Sequence, residues 1–442
     1  MTVVVLPTAY PNVYNEHAAI FVQDHVKALA QNKNLKLHVV GAIPISLKDV
    51  CKTRTFSFGF TQSSRHGVAT TLILFPAIPK LRRLNNFIRT LLNKKLLKKY
   101  TKVQGTPDII HVHNVVAAEA ALWYQKTYAT PYYITEHSSA FGRGLLTAHE
   151  LRSYERLYHH AECNIAVSQK LADDLHRITS ENFRYIPNVT HTDFFKPAAH
   201  RTPSNTFTFV HIANLNDNKN QALLVEAFCK FAAIHADARL RIVGEGPNYN
   251  MLQEKIQTLH MQHQITLYGF ATRDDVRMHL QQSDAFVLSS NYETFGVVVI
   301  EAMSCGLPIL STKCGGPESI IVNDRLGILV DNTLEALFEG MQKMVQTDYN
   351  TDDIRDYAVK NFSEKIIGEQ FVSLYTKMAS RTPKVASFVF NPFTHDSRVL
   401  KEALTLHHAH YDVTVVAHGN KGLQRHETCR GIHITRLAYL DR

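Results

Sequence analysis

The sequence predicts an α/β chain of two Rossmann-like domains with parallel sheets, followed by a partial third unit of the same kind. Three observations carry this prediction. Short apolar runs recur, each followed by a polar or glycine-containing turn and then an amphipathic stretch, which is the strand–loop–helix series of a parallel sheet. The 442 residues are too many for one simple core, and 45% hydrophobic against 20% charged is an ordinary globular composition. The series also starts afresh twice, at Phe207 and at Lys384.

Composition narrows the function classes. No apolar run approaches the roughly 18 residues of a membrane-spanning helix. Met1-Thr2-Val3-Val4-Val5 lacks the basic start and cleavage site of a signal peptide. The cysteines (Cys51, Cys163, Cys229, Cys305, Cys314, Cys429) form no Cys-x-x-Cys pair and read as reduced thiols of a cytosolic protein. The net charge of +9 points to anionic partners without choosing among nucleic acid, lipid headgroups and sugar nucleotides.

In chain order, Val3–Leu6 is a strand ended by Pro7. Thr8–His17 is a loop, Ala18–Gln31 an amphipathic helix with Phe21, Val22, Val26 and Leu29 as its stripe, and Leu35–Val40 the next strand. From Lys80 to Lys102 the chain carries nine basic residues and no acidic one, interleaved with leucines at helical spacing. That pattern predicts a membrane-surface element; a solvated helix with a core-facing leucine stripe is the alternative. Aromatic interleaving is too sparse for a nucleic-acid platform, so no nucleic-acid partner is expected. Two further strands, Pro107–Asn114 and Tyr132–Ser139, end in His111, His113, Glu136 and His137, at what would be one sheet edge. Cys163–Val167 is a short strand, and Ser168 caps the helix after it. The segment Lys196–Asn205, with Pro197 and Pro203, reads as an interdomain linker.

The second half opens with the strand Phe207–Ala213, the loop Asn214–Asn220 and the helix Gln221–His235. Strands Arg239–Val243 and Ile265–Tyr268 follow, the latter turning at Gly269-Phe270. Asp284–Leu288 is a buried parallel strand leading into Ser289–Gly296. A loop at a strand's C-terminal end that opens into a helix is where open α/β sheets bind ligands, and free N–H groups there favour phosphate. Gly296 lets an anion approach the backbone. Glu293 in the loop and Glu301 in the helix are displaced by roughly 7 Å or more along its axis, which suits two ends of an elongated ligand. The run Val297–Ile300 has poor helix propensity, so a second buried strand ending at Glu301 is the alternative. Gly315-Gly316 forms another turn, Asp352-Asp353 a solvated loop pair, and Phe362–Met378 a long terminal helix.

Glu293 and Glu301, with Gly296, Lys219 and Gly315-Gly316, resemble the Glu-x7-Glu constellation of family-4 retaining glycosyltransferases of the GT-B fold, over residues 1 to about 380. The resemblance implies an acceptor domain at 1–196, a donor domain at 206–360 and a helix at 361–380 crossing back to the first domain. It implies Glu293, His137 and Lys219 as catalytic groups, with Glu301 on the donor ribose. Donor contacts would also come from Thr294, Phe295, Gly296, Asn214, Gly269 and Phe270, while His111, His113 and Glu136 would lie on the acceptor side. The implied substrate is a nucleotide-diphosphate sugar. No cofactor and no metal are expected, since no Asp-x-Asp falls at a strand end, and the acceptor would be a glycan or lipid-linked sugar in cell-surface polysaccharide synthesis at the cytoplasmic membrane face. Three departures stand out: the loop Tyr10–His17 has no glycine, Asn214 stands where Arg is commonest, and Val189 and His191 replace a usual Gly and Asp. A sugar-nucleotide epimerase of the same fold and a non-catalytic donor-binding scaffold are the rival readings.

Residues 381–442 look like the opening of another glycosyltransferase N-terminal domain. Lys384–Phe390 is a strand, Val399–His407 a helix, Tyr411–Ala417 a second strand and Gly431–Arg436 a third. The expectation is a truncated tandem enzyme whose tail contributes no site, with a packed extension as the alternative.

Overall fold

The computed structural model describes residues 1–54, 56–199, 206–379, 384–408, 411–420 and 422–437. Part of the interdomain linker (200–205), the junction between terminal helix and tail (380–383) and the end of the tail (438–442) lie outside the described residues. The chain divides into a unit of Met1–Phe371 and a unit of Val372–Arg442.

The larger unit holds two sheets. The first contains β1 (Thr2–Pro7), β2 (Lys36–Ile45), β3 (Gly59–Arg65), β4 (Val68–Pro76), β5 (Ile109–His113), β6 (Tyr132–Glu136), β7 (Cys163–Ala166) and β8 (Phe183–Tyr185), in the order β3-β4-β2-β1-β5-β6-β7-β8. All neighbours are parallel except β3 and β4. Register brings the C-terminal ends of the central strands together: Pro7 pairs with His113, and His113 with Thr135. The loop after β1 and the residues after β5 and β6 therefore share one edge.

The second sheet contains β9 (Thr208–Ile212), β10 (Arg239–Val243), β11 (Ile265–Tyr268), β12 (Ala285–Leu288), β13 (Ile309–Thr312) and β14 (Gly327–Val330), all parallel. Its order is β11-β10-β9-β12-β13-β14, so the direction of winding switches between β9 and β12. Loops after those two strands diverge over a crevice, the usual ligand site of such sheets. Strand residues alternate between faces, as pleating requires. Phe209, Val287 and Leu310 join one apolar cluster, and Val210, Phe286 and Ile309 join the other.

Sequence and structure differ in four places. The hairpin of β3 and β4, closed by His66 and Gly67 at φ 52° and 77°, was not legible as strand pairing. The run Val297–Ser304 is a helix, not a second strand. Asp352 and Asp353 sit in the first turn of a helix, Thr351–Phe362, where their N–H groups donate to Asn350 Oδ1 at 3.0 and 3.2 Å, so they are not a loop pair. The terminal helix is Glu364–Ala379, separated from the preceding one at Ser363. Gly368 on it backs onto Ala28 so closely that a Cβ would stand 2.7 Å from the Ala28 carbonyl oxygen.

The smaller unit has β15 (Lys384–Phe388), β16 (Asp412–His418), β17 (His426–Cys429) and β18 (Ile432–Leu437), ordered β15-β16-β18-β17. Its helix Ser397–His408 packs through Val399 and Ala403 on Val413, Val415, Ile432 and Ile434. β15, this helix and β16 form a parallel β–α–β turn, the arrangement that also opens the larger unit.

Candidate functional site

The loop after β9 and the loop after β12 are stitched together at the switch point. Asn291 N–H donates to the Asn218 carbonyl at 2.7 Å, the Asn218 amide donates to the Tyr292 carbonyl at 2.9 Å, and Ser289 Oγ donates to the Lys219 carbonyl at 2.8 Å. This lattice holds the Lys219 ammonium on the Glu293 carboxylate, which also accepts from Ser290 Oγ at 2.7 Å. Gly315 and Gly316 support the loop from beneath. Gly316 N–H donates to the Glu293 carbonyl at 2.8 Å, and a Cβ on Gly316 would stand 2.3 Å from Phe295 Cα. Only glycine fits there.

Gly296, at φ 99°, turns the chain into the helix Val297–Ser304. That helix has no side-chain cap and no acidic residue in its first turn, so its leading N–H groups and positive dipole end remain available to an anion. The same N-terminus, with Lys219, Glu293, Thr294, Phe295 and Gly296, lines a cavity of about 170 Å³ whose opposite wall is Phe21, His137 and Asn188 of the first domain. The Phe295 ring itself is buried against Phe362, so its backbone is what the cavity meets.

Through the shared residues Ile212 and Val298 this cavity continues into a larger one, of about 740 Å³. Its walls include Asn214, Glu245, Phe270 and Arg273 on one side and Tyr14, His17 and Lys52 on the other. The His17 and Phe270 rings face each other at 5.7 Å. Gly269 precedes exposed Phe270 at the end of β11. Glu301 lies one turn into the helix, buried, and meets this cavity through Arg273, 3.4 Å away. Burial pushes its carboxyl up to about 7, with the Arg273 guanidinium opposing.

Across the cleft, His137 N–H donates to Asn114 Oδ1 at 3.0 Å and to Glu136 Oε1 at 3.1 Å. Its Nε2 is 3.0 Å from His113 Nδ1. Desolvation holds its pKa well below 6.5, so it faces the cavity as a neutral imidazole. The acceptor-side placement of three residues needs correction. His111 and His113 are fully buried behind His137, and His111 Nε2 is bonded to Thr135 Oγ1 at 2.7 Å. Glu136 is also fully buried: it accepts from Val115 N–H, Tyr158 Oη and Ser138 N–H at 3.0, 2.7 and 2.9 Å, and so braces the loop that carries His137. Strand-end histidines look alike in sequence whether they face the cleft or the core.

Several residues escaped the sequence reading. Asp24, 1% exposed, accepts from His191 Nε2 at 3.0 Å and Arg273 Nη1 at 3.2 Å, and Lys27 lies 3.3 Å away. Burial alone would raise its pKa, but the His191 bond and the Arg273 charge hold it below the ordinary value. His191, which stands at a departure from the family pattern, is raised by Asp24 and Glu364 against its own burial. One network thus runs from Glu364 through His191, Asp24 and Arg273 to Glu301.

Two family models match the chain in tandem: Glycosyltransferase Family 4 over residues 18–194 and Glycosyl transferases group 1 over residues 193–361. The chain is a family-4-like protein of the GT-B glycosyltransferase fold. Sucrose-phosphate synthase from Thermosynechococcus elongatus superposes with a TM-score of 0.69 at 18% identity, over 86% of this chain and 100% of that one. The human protein of the phosphatidylinositol N-acetylglucosaminyltransferase is 29% identical over 263 residues, which are 58% of this family-4-like chain and 54% of the human protein. N-acetyl-alpha-D-glucosaminyl L-malate synthase from Bacillus anthracis is 30% identical over 168 residues, 38% of this chain and 43% of the synthase. The match thus spans about half the length of these curated relatives.

Proposed function

We propose that the protein is a retaining glycosyltransferase that moves a sugar from a nucleotide-diphosphate donor to a glycan or lipid-linked acceptor, in cell-surface polysaccharide synthesis on the cytoplasmic side of a membrane. One observation carries the reading: Lys219, Glu293, the uncapped helix N-terminus and a neutral His137 line a single cavity between the two sheets. In this reading Glu301 holds the ribose and Glu293 the hydroxyls of the transferred sugar. Lys219 and the amides after Phe295 stabilise the negative charge that builds on the leaving diphosphate, so no divalent ion is needed there. Charge stabilisation of this kind costs no reorganisation at the moment of reaction, because the loop lattice already fixes the donors. The neutral His137 can face the departing sugar without adding a competing positive charge.

The named relatives refine the donor. One is an N-acetylglucosaminyltransferase for phosphatidylinositol and the other for malate, so they share the sugar and differ in the acceptor. An N-acetylglucosaminyl nucleotide is therefore the first donor to test here. The membrane side of the reading rests on the basic helix Arg82–Gln104. Its C-terminal half buries Leu96, Leu97 and Tyr100, whereas Leu84, Phe87 and Leu91 are exposed on one face among the basic residues. An anionic bilayer surface would meet both the charge and the apolar stripe. Among the described residues no helix is long and apolar enough to cross a membrane.

The test is nucleotide release from a panel of UDP-, GDP- and ADP-sugars without added Mg²⁺ or Mn²⁺, with membrane extract as acceptor source. Release with sugar transferred to the extract supports the transferase. Sugar interconversion without acceptor would instead identify an epimerase, and binding without turnover a scaffold.

A further inference from the structure

We propose that His25, His113 and His137 form a site for one first-row divalent transition-metal ion, of which zinc is the foremost candidate, tying the helix Ile20–Ala30 to the ends of β5 and β6. Each residue offers one ring nitrogen, and the three nitrogens all lie within 4.8 Å of one another. They come from three separate segments: the helix, the last residue of β5 and the first residue after β6. Ring centroids are 5.3 to 5.7 Å apart, so the imidazoles converge on one point.

Hydrogen bonding within the protein does not account for the cluster. His113 Nδ1 and His137 Nε2 share one bond of 3.0 Å. Both ring nitrogens of His25, Nε2 of His113 and Nδ1 of His137 are buried without a hydrogen-bond partner of good geometry. The Pro187 carbonyl beside His25 and the Asn188 side chain beside His137 are their weak polar neighbours. Buried polar atoms left this way are costly, and a metal ion satisfies an acceptor nitrogen on each ring at once. Metal–nitrogen bonds of about 2.0–2.1 Å in a tetrahedron place ligands about 3.3 Å apart, so the widest pair must close by roughly 1.5 Å or less. Burial also keeps these imidazoles neutral, the form that binds metal. Imidazole ligands suit zinc, cobalt, nickel and copper rather than magnesium or calcium, and three of them leave a fourth position for water.

The test needs no sugar donor, so its outcome is independent of the transferase reading. The full chain is stripped with chelator, re-equilibrated with buffered Zn²⁺ or Co²⁺, desalted and measured for bound metal, with visible absorption recorded for the cobalt form. The expected result is about one ion per chain, a cobalt spectrum of tetrahedral nitrogen ligation, and a melting temperature that rises with added Zn²⁺. His25→Gln and His113→Gln should each lose at least nine-tenths of the metal, while the double change His407→Gln and His408→Gln keeps it. Should a cluster variant fail to fold, the wild-type stoichiometry and cobalt spectrum decide the matter alone. Less than about a fifth of an ion per wild-type chain, or full binding in both cluster variants, would overturn the proposal and leave an adventitious ion only.

Discussion

Glu301 shows how one side chain couples the cavity to pH. Its carboxyl is raised by burial from 4.5 to about 7, so the carboxylate forms only as pH rises through neutrality. If that carboxylate holds the ribose, donor affinity should increase roughly tenfold between pH 6 and pH 8, the change in its ionised fraction. Calorimetric titration checks this, and Glu301→Gln should flatten the profile. The stability sign is opposite. A raised folded pKa contributes stability that is complete below about 4.5 and fades as pH passes 7, so the native chain should lose stability across that window relative to Glu301→Gln. Gly316→Ala makes a second residue-scale prediction: a Cβ 2.3 Å from backbone should displace the Glu293 loop and cut donor turnover at least a hundredfold. Glu293, Lys219, Gly296 and His137 were legible in the sequence because strand ends, glycines and charges mark such loops. Arg273 was not, since its partner Asp24 is 249 positions away and only the fold brings them together.

At the scale of elements, local propensity and tertiary burial compete openly in Val297–Ser304. β-branched residues cost a helix up to about 0.7 kcal/mol each, yet burying a Val, Ile or Met contributes about 1.5–3 kcal/mol. Val299, Ile300 and Met303 are fully buried, so the helix wins. The hairpin of β3 and β4 was hidden for another reason: β3 is an edge strand exposed along most of its length, and Ser, Thr, Gln and Arg give it no apolar alternation to read. For the basic helix, Phe87→Glu with Leu91→Glu should remove most binding to vesicles of anionic phospholipid, while leaving the fold intact because both side chains are exposed. Cosedimentation with vesicles measures it; unchanged binding would remove the helix from the membrane reading.

Across the larger unit, the two sheets and their switch points were legible from the repeating strand–loop–helix series, but the polar network spanning both domains was not. Asp24 is its centre, almost fully buried and shared by His191, Lys27 and Arg273. Removing one partner of a buried ionic network leaves uncompensated charge, so Asp24→Ala should destabilise the chain by about 3–5 kcal/mol in denaturant titration. Arg273→Ala should cost less, because that side chain is 30% exposed. Arg273 also joins Asp24 of the first domain to Glu301 of the second, so its loss should alter donor affinity as well as stability.

The central claim is that Glu293 and Lys219 act together on a nucleotide-sugar donor in one cavity. It is tested most directly by nucleotide release from UDP-N-acetylglucosamine and the other donors, comparing the native chain with Glu293→Gln and Lys219→Ala. The account predicts release from one donor with transfer to an acceptor, falling at least a hundredfold in each variant while the melting temperature stays within a few degrees. Undiminished release in both variants, or donor binding with no turnover by the native chain, would contradict it.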